Sequence, residues 1–525
     1  MALAFLGGLA HVAFISTMSE VSHAASWRKW LHRGVMCGIT PAFLFSFGVL
    51  GCAGQAQRSE KRSEEVATSE IGEQAARILA RAIQFRTVNP PGDEAPLAAY
   101  LAGLLEAAGV EARVIPTPSG ESKLGRAAVW ARLPGTGERP PIVLLSHLDV
   151  VPANPDEGWD ADPFAGVRRN GDVLGRGALD AKGVAVVHLL ALSELARRRV
   201  RLSRDVVLLA TPDEETGGRD GAGWIVKERP QLLLGAEFLL TEGGGIHVDP
   251  AGGPDAWQIA VSEKSPCWLR VATHGRPGHS SVPDPHAAVP RLLTALDRIR
   301  RRETPLQVVP EVARMFRALA PLAPPEDAAG FANLADALAF DAGFRGRFLA
   351  EPAYAALVRD TVAITVLRGG PRTNVVPAEA AAHLDARLLP GRACEAFSRE
   401  LADLATDTGA ELQTLLSFTA ASSPVETPLY HAIVATSRAL DPSAVVVPRV
   451  LAGFTDAHYF RELGITAYGF VPRWQRRGEQ RGVHGPNERI SVENLERGVQ
   501  TLVAILEQLD NQGDVPEATT WTGHR

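Results

Sequence analysis

Four short apolar runs, each leading into a cluster of polar residues, constrain this chain more than any other feature. They lie at 141–145, 205–210, 237–240 and 467–471. Each has the length of a strand buried on both faces, which needs no polar alternation. A stretch with helical spacing, 182–198, separates the first two. Strands alternating with helices read as an α/β domain with a mostly parallel central sheet and helices on both faces. Ligands of such sheets gather beyond the carboxyl ends of the strands. The residues just after each run are therefore where chemistry is expected.

The first run ends in Ser146-His147-Leu148-Asp149. If the strand continues, alternation puts His147 and Asp149 on one side, one to bind a metal and the other to orient it. Taken alone, a surface histidine and a turn aspartate would account for them equally. Next comes Gly175-Arg176-Gly177-Ala178-Leu179-Asp180-Ala181-Lys182-Gly183. Glycines this dense mark close backbone approach, and Asp180 before a helix also reads as an N-cap. The second run enters Thr211-Pro212-Asp213-Glu214-Glu215-Thr216-Gly217-Gly218. Three adjacent acids repel one another, and a cation would relieve that cost; a solvated turn is the alternative. The third run ends in Thr241-Glu242-Gly243-Gly244-Gly245, and His484 follows the fourth, in Val483-His484-Gly485-Pro486-Asn487-Glu488. No one of these is decisive. Together, His147, Asp180, Glu215, Glu242 and His484 fall at every strand end or following loop. Two histidines and three carboxylates suit a pair of zinc ions, and cobalt or manganese could fill similar ligands. Two divalent cations against three carboxylates leave about one positive charge, which favours a bound hydroxide and an anionic substrate.

At 525 residues the chain is too long for one compact core, so two or more domains are expected. Residues 71–83 have helical spacing, with Ala75, Ile78 and Leu79 on one face, and Asn89-Pro90-Pro91-Gly92 stops them. Leu97, Leu101, Leu104 and Leu105 mark a second helix. The middle differs: 268–273, 361–366 and 380–388 read as strands, with a long helical stretch at 287–358. This reads as an α+β domain inserted into the first. The last helix runs from 492 to 509, with Ser491 as its N-cap. The expected division is 1–52 signal, 53–69 linker, 70–264 and 416–511 the catalytic domain, 265–415 the inserted domain, and 512–525 a tail.

Arg28, Lys29 and Arg33 precede an apolar run, 34–51, that ends in Val49-Leu50-Gly51-Cys52. This reads as a bacterial export signal, and its end resembles a lipobox. A plainly cleaved signal and an uncleaved anchor are the other readings, and Met18 is a second candidate start. An exported, periplasmic or lipid-anchored protein is expected, touching a membrane only through this segment. The net charge of -6, with no basic block, excludes nucleic acid as the expected partner. Cys37, Cys52, Cys267 and Cys394 show no paired spacing, so neither a disulfide framework nor a cysteine zinc site is expected.

His147-Leu148-Asp149, Gly177 to Gly183, Glu214-Glu215 and His484-Gly485 together resemble the zinc-dependent aminoacylase and carboxypeptidase family, nearest its carboxypeptidase S-like branch. The resemblance spans about 71–509. It implies a zinc exopeptidase-like fold with an inserted lid and dimerisation domain. It implies that Asp180 bridges two zinc ions, that His147 and Glu242 complete one site, and that Glu215 and His484 complete the other. Asp149 would orient His147. Glu214 would take a proton from a metal-bridging water and deliver it to the leaving amine. A cis peptide is implied between Asp180 and Ala181. In the lid, Gly278-His279-Ser280-Ser281-Val282-Pro283 makes His279 a candidate to polarise the scissile carbonyl, in some members from a partner subunit. Asn374 and Arg387, in Arg372-Thr373-Asn374-Val375-Val376-Pro377 and Asp385-Ala386-Arg387, would hold the substrate's carbonyl and carboxylate. His188 reads as a core histidine, and His274, His286, His383 and His431 have no comparable setting. Thr455-Asp456-Ala457-His458 resembles a family loop that often has Arg where His458 stands. The implied reaction is cleavage of a peptide or N-acyl amide bond beside a free carboxylate. A biosynthetic deacylase and a metal-free binding protein on the same fold are the alternatives; the export signal argues against the first and the intact ligand set against the second.

Overall fold

The computed structural model describes residues 69–248, 253, 255–476 and 482–511. The expected export signal, most of the linker and the tail lie outside them. No helix among the described residues is long and apolar enough to cross a membrane.

The four apolar runs are the strands Arg139–His147, Arg204–Thr211, Phe238–Thr241 and Thr466–Gly469. They lie side by side and parallel at the centre of a ten-stranded sheet, in the order Arg204–Thr211, Arg139–His147, Phe238–Thr241, Thr466–Gly469. Alternation divides their side chains cleanly. Ile142, Leu144, Val206, Leu208, Phe238 and Leu240 share one core with the long helices Glu70–Gln84, Lys182–Arg197 and Val492–Asn511. Val143, Leu145, Val207, Leu209 and Leu239 share the opposite core with the shorter helices Ala222–Glu228 and Ala457–Glu462. Burial on both faces is why the sequence shows continuous apolar runs there. One flank, Glu111–Pro116 and Ala127–Leu133, is antiparallel; the other is mixed, with Ala256–Glu263 antiparallel to Thr466–Gly469 and Gly245–Val248, and Val445–Leu451 and Trp474–Arg476 added in parallel. Ser491 caps its helix as expected, accepting from the Asn494 amide, and Ser69 caps the first helix by accepting from that of Gly72.

A separate four-stranded antiparallel sheet follows the order Thr361–Arg368, Glu379–Leu388, Ser265–His274, Glu411–Ser417. Helices Ala288–Arg301 and Cys394–Ala405 cover one of its faces. The edge strand Glu411–Ser417 escapes sequence reading because little of it is buried. The long helical stretch is broken into six α-helices; three of them start at Pro310, Pro325 or Pro352, and Ala288–Arg301 carries Pro290 in its first turn. Its later part, from Val312 to Leu357, forms an aromatic core with Val447 and Val450 of the main sheet, not with the smaller sheet.

One expectation is overturned. Cys267 and Cys394, 127 residues apart in sequence, form a disulfide. Spacing cannot reveal such a pair, because antiparallel pairing and helix packing bring the start of one strand against the first turn of a distant helix.

Candidate active site

His147, Glu215 and Glu242 sit where central strands stop, whereas Asp180 follows Asp172–Leu174 of a small three-stranded sheet and His484 lies between Trp474–Arg476 and Arg489–Ser491. His147 ends its strand, Glu242 directly follows Phe238–Thr241, and Glu214 and Glu215 open a 3-10 turn, Glu214–Thr216, after Arg204–Thr211. Asp180 lies ahead of helix Lys182–Arg197 but does not cap it: Ala181 holds the cap position and no side chain bonds there. The N-cap alternative for Asp180 is thereby removed. The Asp180–Ala181 peptide is cis, as the resemblance implies.

The carboxylate of Asp180 lies between two histidines from different loops. His147 Nε2 is 2.9 Å from Oδ1, and His484 Nε2 is 3.2 Å from Oδ2. Glu242 approaches His147 Nε2 at 3.5 Å, and Glu215 approaches His484 Nε2 at 3.3 Å. Two triads that share Asp180 result: His147, Asp180, Glu242 and His484, Asp180, Glu215. His147, Glu214 and Glu242 also present oxygen and nitrogen atoms within 4.8 Å of one another. The other nitrogen of His147, Nδ1, lies 3.0 Å from the Asp149 carbonyl. That contact fits a proton on Nδ1, so Nε2 is the nitrogen turned toward the acids.

Asp149 does more than face His147. Its Oδ1 accepts from the Glu214 amide at 3.2 Å and its Oδ2 from the Glu215 amide at 3.1 Å. Asp213, just before them, adopts the left-handed φ of 80°, and Gly217, just after, has φ 104°. This tight bend lets neighbouring glutamates point to different tasks. Asn89 donates to Asp149 at 2.8 Å and to Asp213 at 3.3 Å, and Arg126 joins Asp213 to Glu94. In the sequence Asn89 reads as a helix stop, Asp213 reads only as one of three crowded acids, and Arg126 and Glu488 carry no assigned role. Their signal was polar residues beside a glycine- or proline-rich turn, which is too common to single them out.

The site's electrostatics follow from crowding. Burial, then Glu242, raises the pKa of Glu214 well above the ordinary carboxylate range. Glu242 is raised too, first by burial. Burial opposes the charge on Asp180, yet hydrogen bonds from His147 and His484 hold its pKa below the usual range. His484 is pushed up to about 10, first by its bond to Asp180 and then by that to Glu215. Asp456 is buried nearby and also raised, by desolvation and by Asp149, Asp213 and Glu242. Among the described residues, Glu215 Oε1 is buried without a hydrogen-bond partner. An acid cluster with an orphaned oxygen and two imidazole nitrogens turned into it fits divalent cations, which would take the place of the imidazole protons.

The lid residues lie apart from this cluster. His279 is exposed, its Nδ1 2.7 Å from Ser281 Oγ. A short ladder pairs His279 with Val375, and the Ser280 amide donates to the Asn374 carbonyl, so His279 and Asn374 are brought together. Arg387 grips Asp385 through Nε and Nη2 at 2.7 and 2.9 Å and lies over the rings of Phe454 and Trp268. Among the described residues, no hydrogen bond or ion pair joins His279, Asn374 or Arg387 to the acid cluster. His188 is a core histidine, its pKa pushed down to about 3 by burial. His458 is buried as well, stacked on Phe418 with ring centres 3.4 Å apart.

Residues 143–508 match the family described as Peptidase family M20/M25/M40. The chain is 30% identical over 381 residues to the N-fatty-acyl-amino acid synthase/hydrolase PM20D1.1 of Danio rerio, covering 70% of this chain and 72% of that protein. It is 29% identical over 390 residues to aminoacylase-1 of Mus musculus, covering 73% and 83%. In fold it resembles an M20 family metallo-carboxypeptidase, Sso-CP2 from Sulfolobus solfataricus, with a TM-score of 0.66, 21% identity and coverage of 84% and 100%. Human carnosine dipeptidase 1 gives a TM-score of 0.65 at 16% identity, with coverage of 84% and 97%. From the strand that ends in His147 to its last helix, this chain belongs to the M20/M25/M40 peptidase family and is a hydrolase.

Proposed function

We propose that this enzyme cleaves an amide bond, in a peptide or an N-acyl amino acid, beside a free carboxylate, using two divalent cations. The observation that carries the reading is Asp180, whose two oxygens face His147 and His484 at 2.9 and 3.2 Å. His147, Asp180 and Glu242 would hold one cation, and His484, Asp180 and Glu215 the other. Imidazole and carboxylate donors suit zinc and also admit cobalt or manganese. Once bound, the cations would polarise the scissile carbonyl and acidify the attacking water.

The chain's own residues do the rest. Glu214 takes the proton of the attacking water and returns it to the leaving nitrogen. Asp149 orients His147 and fixes the bend under Glu214. His279 stabilises the developing oxyanion, Asn374 holds the substrate carbonyl, and Arg387 holds its carboxylate. The relatives' names, an N-fatty-acyl-amino acid hydrolase and an aminoacylase, support an N-acyl amino acid as substrate. The exposed setting of His279 supports a dimer whose lid carries His279 to the partner's site. We also propose that the enzyme works outside the cytoplasm: the buried Cys267–Cys394 disulfide suits an oxidising compartment.

The test is hydrolysis of a panel of dipeptides and N-acyl amino acids by wild type and Glu214→Gln, each with its metal content measured. Wild type is expected to bind two zinc ions and turn over, and the variant to keep the metal while kcat falls about 10²–10⁴-fold. A wild type that binds no metal sinks the proposal.

A further inference from the structure

Glu488 lies four residues after His484 and is fully buried. Its Oε2 accepts from Arg176 Nη1 at 2.6 Å and from the Gly177 amide at 3.0 Å. Its Oε1 accepts from the Leu179 amide at 2.7 Å and from the Asp180 amide at 3.1 Å. All four partners are donors, so both oxygens act only as acceptors. Three of those donors are main-chain amides of the loop that carries Asp180.

That loop cannot satisfy itself. Gly175 and Gly177 have φ of 154° and 88°; the Ala178 amide finds the Gly175 carbonyl at 3.1 Å and the Arg176 amide that of Pro163, while the amides of Gly177, Leu179 and Asp180 turn to Glu488. Left unpaired in a buried setting, each would cost about 1–3 kcal/mol. The main chain adds a further tie, since the Gly175 amide donates to the Glu488 carbonyl at 2.9 Å. Strand Arg489–Ser491 pairs antiparallel with Asp172–Leu174, so both loops leave the same short ladder. There is no slack: a Cβ built on Gly482 would lie 2.5 Å from the Glu488 Cα. Beneath, Arg176 stacks on Trp159, and Asn487 bonds to the main chain of Asp160 and Gly158.

The geometry assigns Glu488 as a positioning residue that locks the Asp180 loop to the His484 loop and so sets the affinity of both cation sites together. The assignment rests on the metal centre proposed above. Its logic is that Asp180 is common to both triads, so a misplaced Asp180 is felt at both sites. A side chain that merely braced the fold would lower stability without changing the metal affinity of the folded form.

The experiment uses metal-free full-length protein, as wild type, Glu488→Gln, Glu488→Asp and His484→Ala. Each is titrated with zinc alone against a chromophoric chelator, and its folded fraction is followed by circular dichroism under the same conditions. The Gln amide places a donor against donors, whereas Asp remains an acceptor but is shorter. Glu488→Gln is expected to stay folded while both zinc dissociation constants rise about 10–100-fold. Glu488→Asp should recover part of that loss, and His484→Ala should weaken chiefly one site. Wild-type affinity in folded Glu488→Gln overturns the inference, as does weakening of one site alone or a loss that only tracks the unfolded fraction. If Glu488→Gln does not fold, Arg176→Gln removes one donor from the same carboxylate: a smaller loss at both sites supports the inference and unchanged affinity overturns it. A wild type that binds no zinc overturns the proposed metal centre itself, a result distinct from two sites that ignore Glu488.

Discussion

Residue type alone says little here, because surroundings decide what a side chain does. His188 and His147 are both buried, yet burial drives His188 down to about 3 while neighbouring acids, led by Glu242, overcome burial and raise His147. Lys264 is the cationic counterpart. It joins the strand Ala256–Glu263 to Ser265–His274, is fully buried, and donates to the carbonyls of Ala356 and Arg359 and to Thr361 Oγ1. Desolvation, partly offset by Asp360, lowers its pKa from 10.5 to about 8. A lysine depressed in the folded state binds fewer protons than the unfolded chain between those values, so stability rises with pH across about 8 to 10.5. Below pH 8 both states are protonated and the cost of burial is constant. The full gain is of order 3 kcal/mol. Urea unfolding at pH 7.5 and 10 should therefore show a wild-type rise that Lys264→Met lacks; equal pH slopes would count against it.

Elements obey their local signals more closely than their partners. The expected helices and central strands form within a few residues of their predicted bounds, because periodicity and caps are local properties. The helical stretch fragments where prolines remove amide donors, which the sequence shows, but its docking against Val447 and Val450 depends on where an edge strand of the main sheet lies. The disulfide is of the same kind. It closes a separation of 127 residues, for which chain entropy gives at most about 5 kcal/mol. Cys267→Ala with Cys394→Ala should lower the urea midpoint clearly, and a reductant should do the same to wild type but not to the variant. Zinc stoichiometry should stay unchanged, since the bridge lies within the smaller sheet's core.

At the scale of the whole molecule, the proposed metal centre would couple metal binding to folding. Chelation leaves Asp180, Glu215, Glu242 and Glu214 facing one another without cations. Zinc at 100 times its dissociation constant would stabilise by about 2.7 kcal/mol per site, so chelator should lower the unfolding temperature and abolish activity, and zinc should restore both. A dimer exchanging His279 makes a sharper forecast. His279→Ala and Glu214→Gln should each be nearly inactive alone. Subunits mixed through a refolding step should recover about a quarter of wild-type activity, because half the dimers then carry one intact site. No recovery would show that His279 serves its own chain or none.

The sequence by itself determined the central strands, the His and acidic residues proposed as ligands near their ends, and the family, because burial on both faces leaves continuous apolar runs and the family's motifs are local in sequence. Tertiary structure alone decided that Asp180 faces two histidines instead of capping its helix, that Cys267 meets Cys394, and that Asn89, Arg126 and Glu488 brace the ligand loops. Those outcomes are contacts between residues tens to hundreds of positions apart. A hydrogen-bond acceptor bears no mark of its donors until the chain has brought them within 3 Å.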